Sequence, residues 1–174
     1  MKFVSPFAIR TPSELAAGDF YEFNMDGHAT FAVALDSGEG EKKFAVAIAS
    51  KALDFIPRII SREGNWDEPV LFYSDAALEL VRSDDSATAG DLQKESWNGV
   101  LRVTADDMLF RVFEMSPPHR HYWVDLLTFG FARARGGSDT LYITEWRLWA
   151  SEADITRQDA EPLIEVKATA PKPR

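Results

Sequence analysis

Cysteine is absent from the 174 residues, which excludes disulfides, thiol nucleophiles and Cys-ligated zinc or iron–sulfur centres. Basic residues are in deficit, 19 Lys and Arg against 28 Asp and Glu, for a formal net charge of −9. Affinity for a phosphate backbone comes mainly from clustered Lys and Arg, so nucleic acid is not an expected partner. The acidic excess favours solubility and would steer a basic partner protein towards the chain. Long apolar runs are missing as well. No stretch approaches the roughly 20 apolar residues of a membrane-spanning helix, and the opening MKFVSPFAIRTPSEL is interrupted by Ser5, Pro6 and Arg10 where a secretory leader needs an unbroken apolar run. A soluble, cytoplasmic protein without membrane association is expected. Complete catalytic signatures are lacking too: Gly38 to Lys43 does not have P-loop spacing, and neither G-x-S-x-G nor H-E-x-x-H occurs. Asp84-Asp85 and Asp106-Asp107 suit turn formation and solvation better than paired acid/base catalysis.

What the chain does have is large side chains: twelve Phe, five Trp and four Tyr in a sequence that is 45% hydrophobic. A compact domain of this size buries roughly 70% of the surface its unfolded chain exposes, so a core needs no covalent staples. Asp19 to Met25 and His28 to Leu35 flank Asp26-Gly27, a dipeptide that supplies the positive φ values of a tight hairpin. Lys43 to Ala49 extends this into a three-stranded meander, with a shorter strand before it at Lys2 to Ile9. Leu53, Ile56, Ile59 and Ile60 recur at helical spacing, with Asp54 as a cap and Pro57 in the first turn, and predict one short helix near Phe55 to Arg62.

Val70 to Tyr73 reads as a strand; Asp75 to Val81 is open between a helix capped by Asp75 and a strand in which Leu78 and Leu80 alternate with Glu79 and Arg82, with strand preferred; Ser83 to Ser96 reads as a long polar loop. Val100 to Thr104 and Met108 to Met115 make a second hairpin around Ala105-Asp106-Asp107, with Arg102 and Thr104 on a solvated face. A long strand from His121 to Ala132 is expected to turn through Arg135 to Asp139 into a partner strand, Leu141 to Ala150. The expected fold is mainly β, an antiparallel β-sandwich or partly closed β-barrel of about eight to ten strands with one short helix. Residues 1–167 read as a single β-rich domain and 168–174 as a disordered C-terminal tail.

Two residue groups could carry function. Trp123, Tyr142, Trp146 and Trp149 concentrate aromatic area on the expected last hairpin. An exposed cluster of this kind binds a protein partner or small ligand, whereas a buried one is core. Glu145 and Arg147 interleave with these aromatics, as in a concave ligand site or in a sheet carrying cross-strand ion pairs. This gives the first functional expectation, a non-enzymatic domain without a cofactor that binds through an aromatic sheet surface. Self-association through a sheet edge is a further partner mode, and a lipocalin-like carrier would need the aromatics to line a cavity.

The second group is His119-Arg-His121, two of the three histidines, whose side chains share parity with Asp125 in an extended chain. The segment from His119 to Asp125 resembles the first metal motif of cupins, an H-x-H pair followed after a few residues by an acidic ligand. The resemblance implies a metal-dependent enzyme or metal sensor, with His119, His121 and Asp125 holding a divalent ion. Asp125 stands where cupins usually carry Glu, and the remaining histidine, His28, lies upstream of the pair rather than after it.

Overall fold

The computed structural model describes residues 6–36, 44–61, 68–81, 87–88, 97–115, 120–133 and 140–169. The described residues are mainly β, without a closed barrel, and fit a sandwich-like arrangement. Fifteen strands are described rather than the expected eight to ten, because several long runs break into shorter strands that change partners. Helical structure is limited among the described residues to 3-10 turns at Pro12–Glu14 and Glu152–Thr156.

The first section of sheet contains β1 (Ala8–Arg10), β2 (Phe20–Met25), β3 (His28–Ala34), β4 (Phe44–Ser50), β5 (Arg58–Ser61) and β6 (Val70–Tyr73), in the order β1-β6-β2-β3-β4-β5. Its nucleus is the expected meander. Asp26 and Gly27 adopt φ of 54° and 82°, so Met25 pairs directly with His28, and Asn24 Oδ1 accepts the Gly27 N–H at 2.9 Å. β3 and β4 are buried almost throughout, on both faces. The pair is interrupted by a bulge: Phe31 pairs with Ala49 but Ala32 with Ala47, so Ile48 is the extra residue. Phe31, Val33, Val46, Ile48 and Ala49 join the main core, while Ala32, Ala34 and Ala45 form a small-residue face packed beneath Leu15, Tyr21, Val70 and Phe72.

The helix expected near Phe55 to Arg62 is replaced by a turn and a strand. Lys51 to Asp54 turns with Asp54 at φ 58°, and β5 then pairs Ile59 with Val46 and Ile60 with Ala45. Two physical preferences favour this outcome over the helical spacing. A residue before proline is pushed away from α geometry, here Ile56 before Pro57, and β-branched isoleucines suit the pleated surface.

The second section contains β8 (Ala87–Thr88), β9 (Leu101–Val103), β10 (Met108–Phe113), β11 (His121–Asp125), β12 (Gly130–Ala132) and β13 (Leu141–Ile143). β10 joins the two sections. One of its edges runs beside β11; the other pairs Met108 to Phe110 with β9 and then, at Phe113, with Arg58 of β5. A separate three-stranded sheet has the order β15 (Ile164–Lys167), β14 (Glu145–Trp149) and β7 (Ala77–Val81). Phe31 and Ile48 from the first section, Phe110 and Val124 from the second and Trp146 and Leu148 from the three-stranded sheet meet in one buried cluster.

Two long runs depart from the expected strands. The run from His121 to Ala132 folds back on itself as the β11–β12 hairpin, and the run from Leu141 to Ala150 changes sheet at Thr144 instead of pairing with it. Arg102, expected on a solvated face, is buried and donates to Thr140 Oγ1 at 3.4 Å. The loop expected over Ser83 to Ser96 contains β8, and the rest of it lies outside the described residues, as does the turn through Arg135 to Asp139. At the far end, Ala168 N–H donates to Thr144 O at 2.6 Å, and Thr169 exchanges backbone bonds with Asn98 at 2.9 and 3.0 Å. Ordered backbone pairing therefore extends into the start of the expected tail, through Thr169.

Gly18 and Phe129 hold the β11–β12 turn against the first section. Gly18 has φ +90°, and a Cβ added there would lie 2.6 Å from a ring carbon of Phe129. Gly18→Ala is expected to cost about 2 to 4 kcal/mol, combining left-handed strain with overpacking. Gly27→Ala, with φ +82° but no atom within 4 Å of the new Cβ, should lose only about 1 to 2 kcal/mol of backbone strain. Urea titration of the two variants measures the difference, and equal losses would show that the Phe129 ring yields.

Candidate functional site

Trp146 is completely buried, and Tyr142 and Trp149 are nearly so; only Trp123 is partly exposed. The expected aromatic sheet surface is therefore corrected: three of its four members are interior. Trp146 Nε1 donates to Gly99 O at 2.8 Å, and its ring meets Phe110 edge-on with centroids 5.9 Å apart. Trp149 lies on the opposite face of β14, where its Nε1 donates to Glu79 Oε2 at 2.8 Å. Trp146 and Trp149 are 0% and 7% exposed, so opposite parity does not leave either indole in water. The interleaved charges form cross-strand ion pairs: Arg147 lies 2.6 Å from Glu165 and 3.5 Å from Glu79, and Lys167 lies 3.4 Å from Glu145. They knit the sheet rather than shape a concave site. The core aromatics likewise fill space instead of lining the cavity that a lipocalin-like carrier requires.

His119 lies outside the described residues. His121 is exposed at the start of β11 against the Phe113 ring, and burial together with the neighbouring Arg111 charge holds its imidazole below the usual histidine range. Asp125 is buried at the other end of the same strand. Its Oδ1 accepts the Leu127 N–H at 2.9 Å and the Met108 N–H at 3.3 Å, while Oδ2 accepts the Thr128 hydroxyl at 2.9 Å. The carboxylate is thus engaged by the turn that ends β11, at the opposite end of the strand from His121. Among the described residues no three His, Cys, Asp or Glu side chains assemble to hold a metal. Asp125→Ala should lose about 1 to 3 kcal/mol, the cost of stranding buried donors, measurable by thermal melting. Unchanged stability with a fall in bound metal would instead make Asp125 a ligand.

The most exposed large apolar side chain among the described residues lies elsewhere. Leu53, in the turn between β4 and β5, is 95% exposed, and Ile56 (44%) and Met115 (50%) stand near it. With Met25, Phe55 and Arg58 these residues line a cleft of about 230 Å³ whose wall also includes Asp26 and Asp54. Three contacts hold the Arg58 guanidinium: Met25 Sδ at 2.8 Å, the Asp26 carboxylate at 3.9 Å and the Phe55 ring at 6.0 Å. Other exposed apolar groups are more dispersed; Phe7 packs on Tyr73, and Phe131 on Phe44 and Tyr122. A second cleft of about 220 Å³ lies on the opposite side of the turn, shared by Asp54, Phe55 and Pro57 with Asn98, Gly99 and Thr169.

No protein-family model, curated protein or solved structure matches the chain. Geometry alone carries the functional argument. The apolar turn was hidden in the sequence because Leu53 and Ile56 satisfied a helical spacing that would have buried them. The available counter-signals were Pro57, which disfavours helical geometry at Ile56, and Asp54, a residue type enriched in left-handed conformations.

Among the described residues no helix is long and apolar enough to cross a membrane.

Proposed function

We propose that the protein is a non-enzymatic binding module that recognises a protein partner through the turn from Lys51 to Pro57. The observation that carries this reading is the near-complete exposure of Leu53 beside Ile56 and Met115. Burying a leucine side chain is worth about 1.5 to 3 kcal/mol, a gain this one forgoes in the free protein and recovers against a partner. Methionines at the cleft, Met25 and Met115, suit a contact surface because an unbranched thioether adapts its shape to what it meets.

A protein is favoured over a small ligand by size. Small-molecule sites typically enclose roughly 300 to 1,000 Å³, and each of the two clefts beside the turn falls below that range. The net charge of −9 speaks against a nucleic-acid partner. The proposed surface replaces the aromatic sheet face, whose largest members are core.

The test is photocrosslinking in cells, with a photoreactive amino acid at position 53 and, as a control, at position 9, where Ile9 is also exposed but at the sheet edge. A discrete protein adduct from position 53 and not from position 9 is expected. The same adducts from both positions, or none from position 53, would contradict the proposal.

A further inference from the structure

The outer edge of β15 carries backbone groups that the fold leaves without a partner strand. Ala168 N–H donates to Thr144 O on the β14 side, whereas Thr169 exchanges both of its backbone bonds with Asn98 on the other side. Bonding direction alternates along an antiparallel strand, so Ile164 and Val166 bond towards β14 with Ala168, while Glu165 and Lys167 point outward with Thr169. Asn98 thus makes the first rung of an antiparallel pairing on the outer edge. The chain then turns away at Gly99, with φ +82°, and enters β9, which pairs with β10 and β13. Among the described residues the next two rungs, opposite Lys167 and Glu165, have no partner strand.

These rungs border the cleft of about 220 Å³ behind the turn from Lys51 to Pro57, which β15 lines on one side and Ile48, Ala49, Ser50, Phe55 and Pro57 line on the other. Ile164 and Val166 pack on the main core, and Glu165 and Lys167 are exposed. Residues directly opposite in an antiparallel pair share a face. An added strand would set alternate side chains against the apolar wall and the others in water. The water side selects no charge, since Glu165 pairs with Arg147 and Lys167 with Glu145. A cleft of this size, closed opposite β15 by β4 and the turn, admits one strand rather than the edge of another sheet, which favours a peptide over a second copy of the chain. We infer that the outer edge of β15 takes an extended peptide segment as an added antiparallel strand, held by the backbone of Glu165 and Lys167 and by alternating apolar side chains that enter the cleft. This goes beyond the reading above, because it uses the other side of the turn and does not require Leu53.

The probe is a short end-capped peptide that alternates valine with polar residues, at zero net charge, titrated into the ¹⁵N-labelled protein. In the free protein the Glu165 and Lys167 amides should exchange hydrogen quickly while those of Val166 and Ala168 are protected, and saturating peptide should protect all four. The polar residues of the peptide lie opposite Glu165 and Lys167, so their N–H groups face β15 and those of the valines face away. N-methylation of the polar residues is expected to weaken binding by at least about tenfold, and N-methylation of the valines by less than about threefold. On the protein side, Lys167→Pro removes an outward donor at an edge position that tolerates proline, and should weaken binding by at least about tenfold, against about twofold or less for Lys167→Ala. If Lys167→Pro does not fold, the two methylated peptides still decide. Equal effects of the two methylation patterns, shifts centred away from residues 164–169, or no saturable binding would overturn the inference. Protection of Glu165 and Lys167 that grows with protein concentration, without peptide, would give the edge to a second copy and overturn it as well. The crosslink from position 53 does not involve this edge, so either proposal can fail without the other.

Discussion

The indole N–H of Trp146 is the constraint around which the rest of the fold is organised. It is sealed from water where the three-stranded sheet meets both sections of the large sheet, where an unmatched donor costs about 1 to 3 kcal/mol, and it finds its acceptor in the Gly99 carbonyl at 2.8 Å. Gly99 adopts φ +82°, and a Cβ there would come within 3.0 Å of Val166. The residue before it, Asn98, is tied by reciprocal backbone bonds to Thr169, just past β15. The indole bond and this backbone pair thus link the middle strand of the three-stranded sheet, the entry to β9 and the end of the described chain.

This arrangement also governs the site. Asn98, Gly99 and Thr169 form one wall of the cleft behind the Lys51–Pro57 turn, and the turn itself forms another. β4 and β5 clamp the turn from both ends: β4 is buried on both faces, and β5 pairs with β4 and, at Phe113, is bridged to β10. A rigid base beneath an exposed apolar turn lowers the entropy lost when a partner binds. The two-sheet core and the protruding Leu53 are in this sense linked: the large aromatics fill the scaffold, and under the proposed function the aliphatic turn makes the contact.

Local chemistry was legible in the sequence wherever it was self-contained. The Asp26-Gly27 hairpin, the β9–β10 hairpin and the mainly β character follow from turn residues and β-branched or aromatic runs that act over a few positions. Features decided by distant partners were not legible. Nothing near Tyr142 or Trp149 in the chain shows that these side chains are buried. The break of β11 depends on Asp125 gathering the N–H groups of Leu127 and Met108 and the Thr128 hydroxyl, and the sheet change at Thr144 depends on β7 and β15. The periodicity of Leu53, Ile56, Ile59 and Ile60 was compatible with a helix, but pairing of β5 with β4 overrode it. The exposure of Leu53 was concealed for the same reason, since apolar residues in a sequence are assumed to be inside until the fold places them.

The account stands on Leu53 being a side chain the fold does not need. Equilibrium denaturation of Leu53→Ser is the most direct measurement of that claim, because an exposed position away from caps and cores changes stability by no more than about 0.5 kcal/mol. The account predicts an unfolding free energy within that margin of the parent protein. A loss of about 2 kcal/mol or more, the scale of truncating a buried leucine, would mean that Leu53 packs inside the free protein, and the turn would no longer be available as a contact surface.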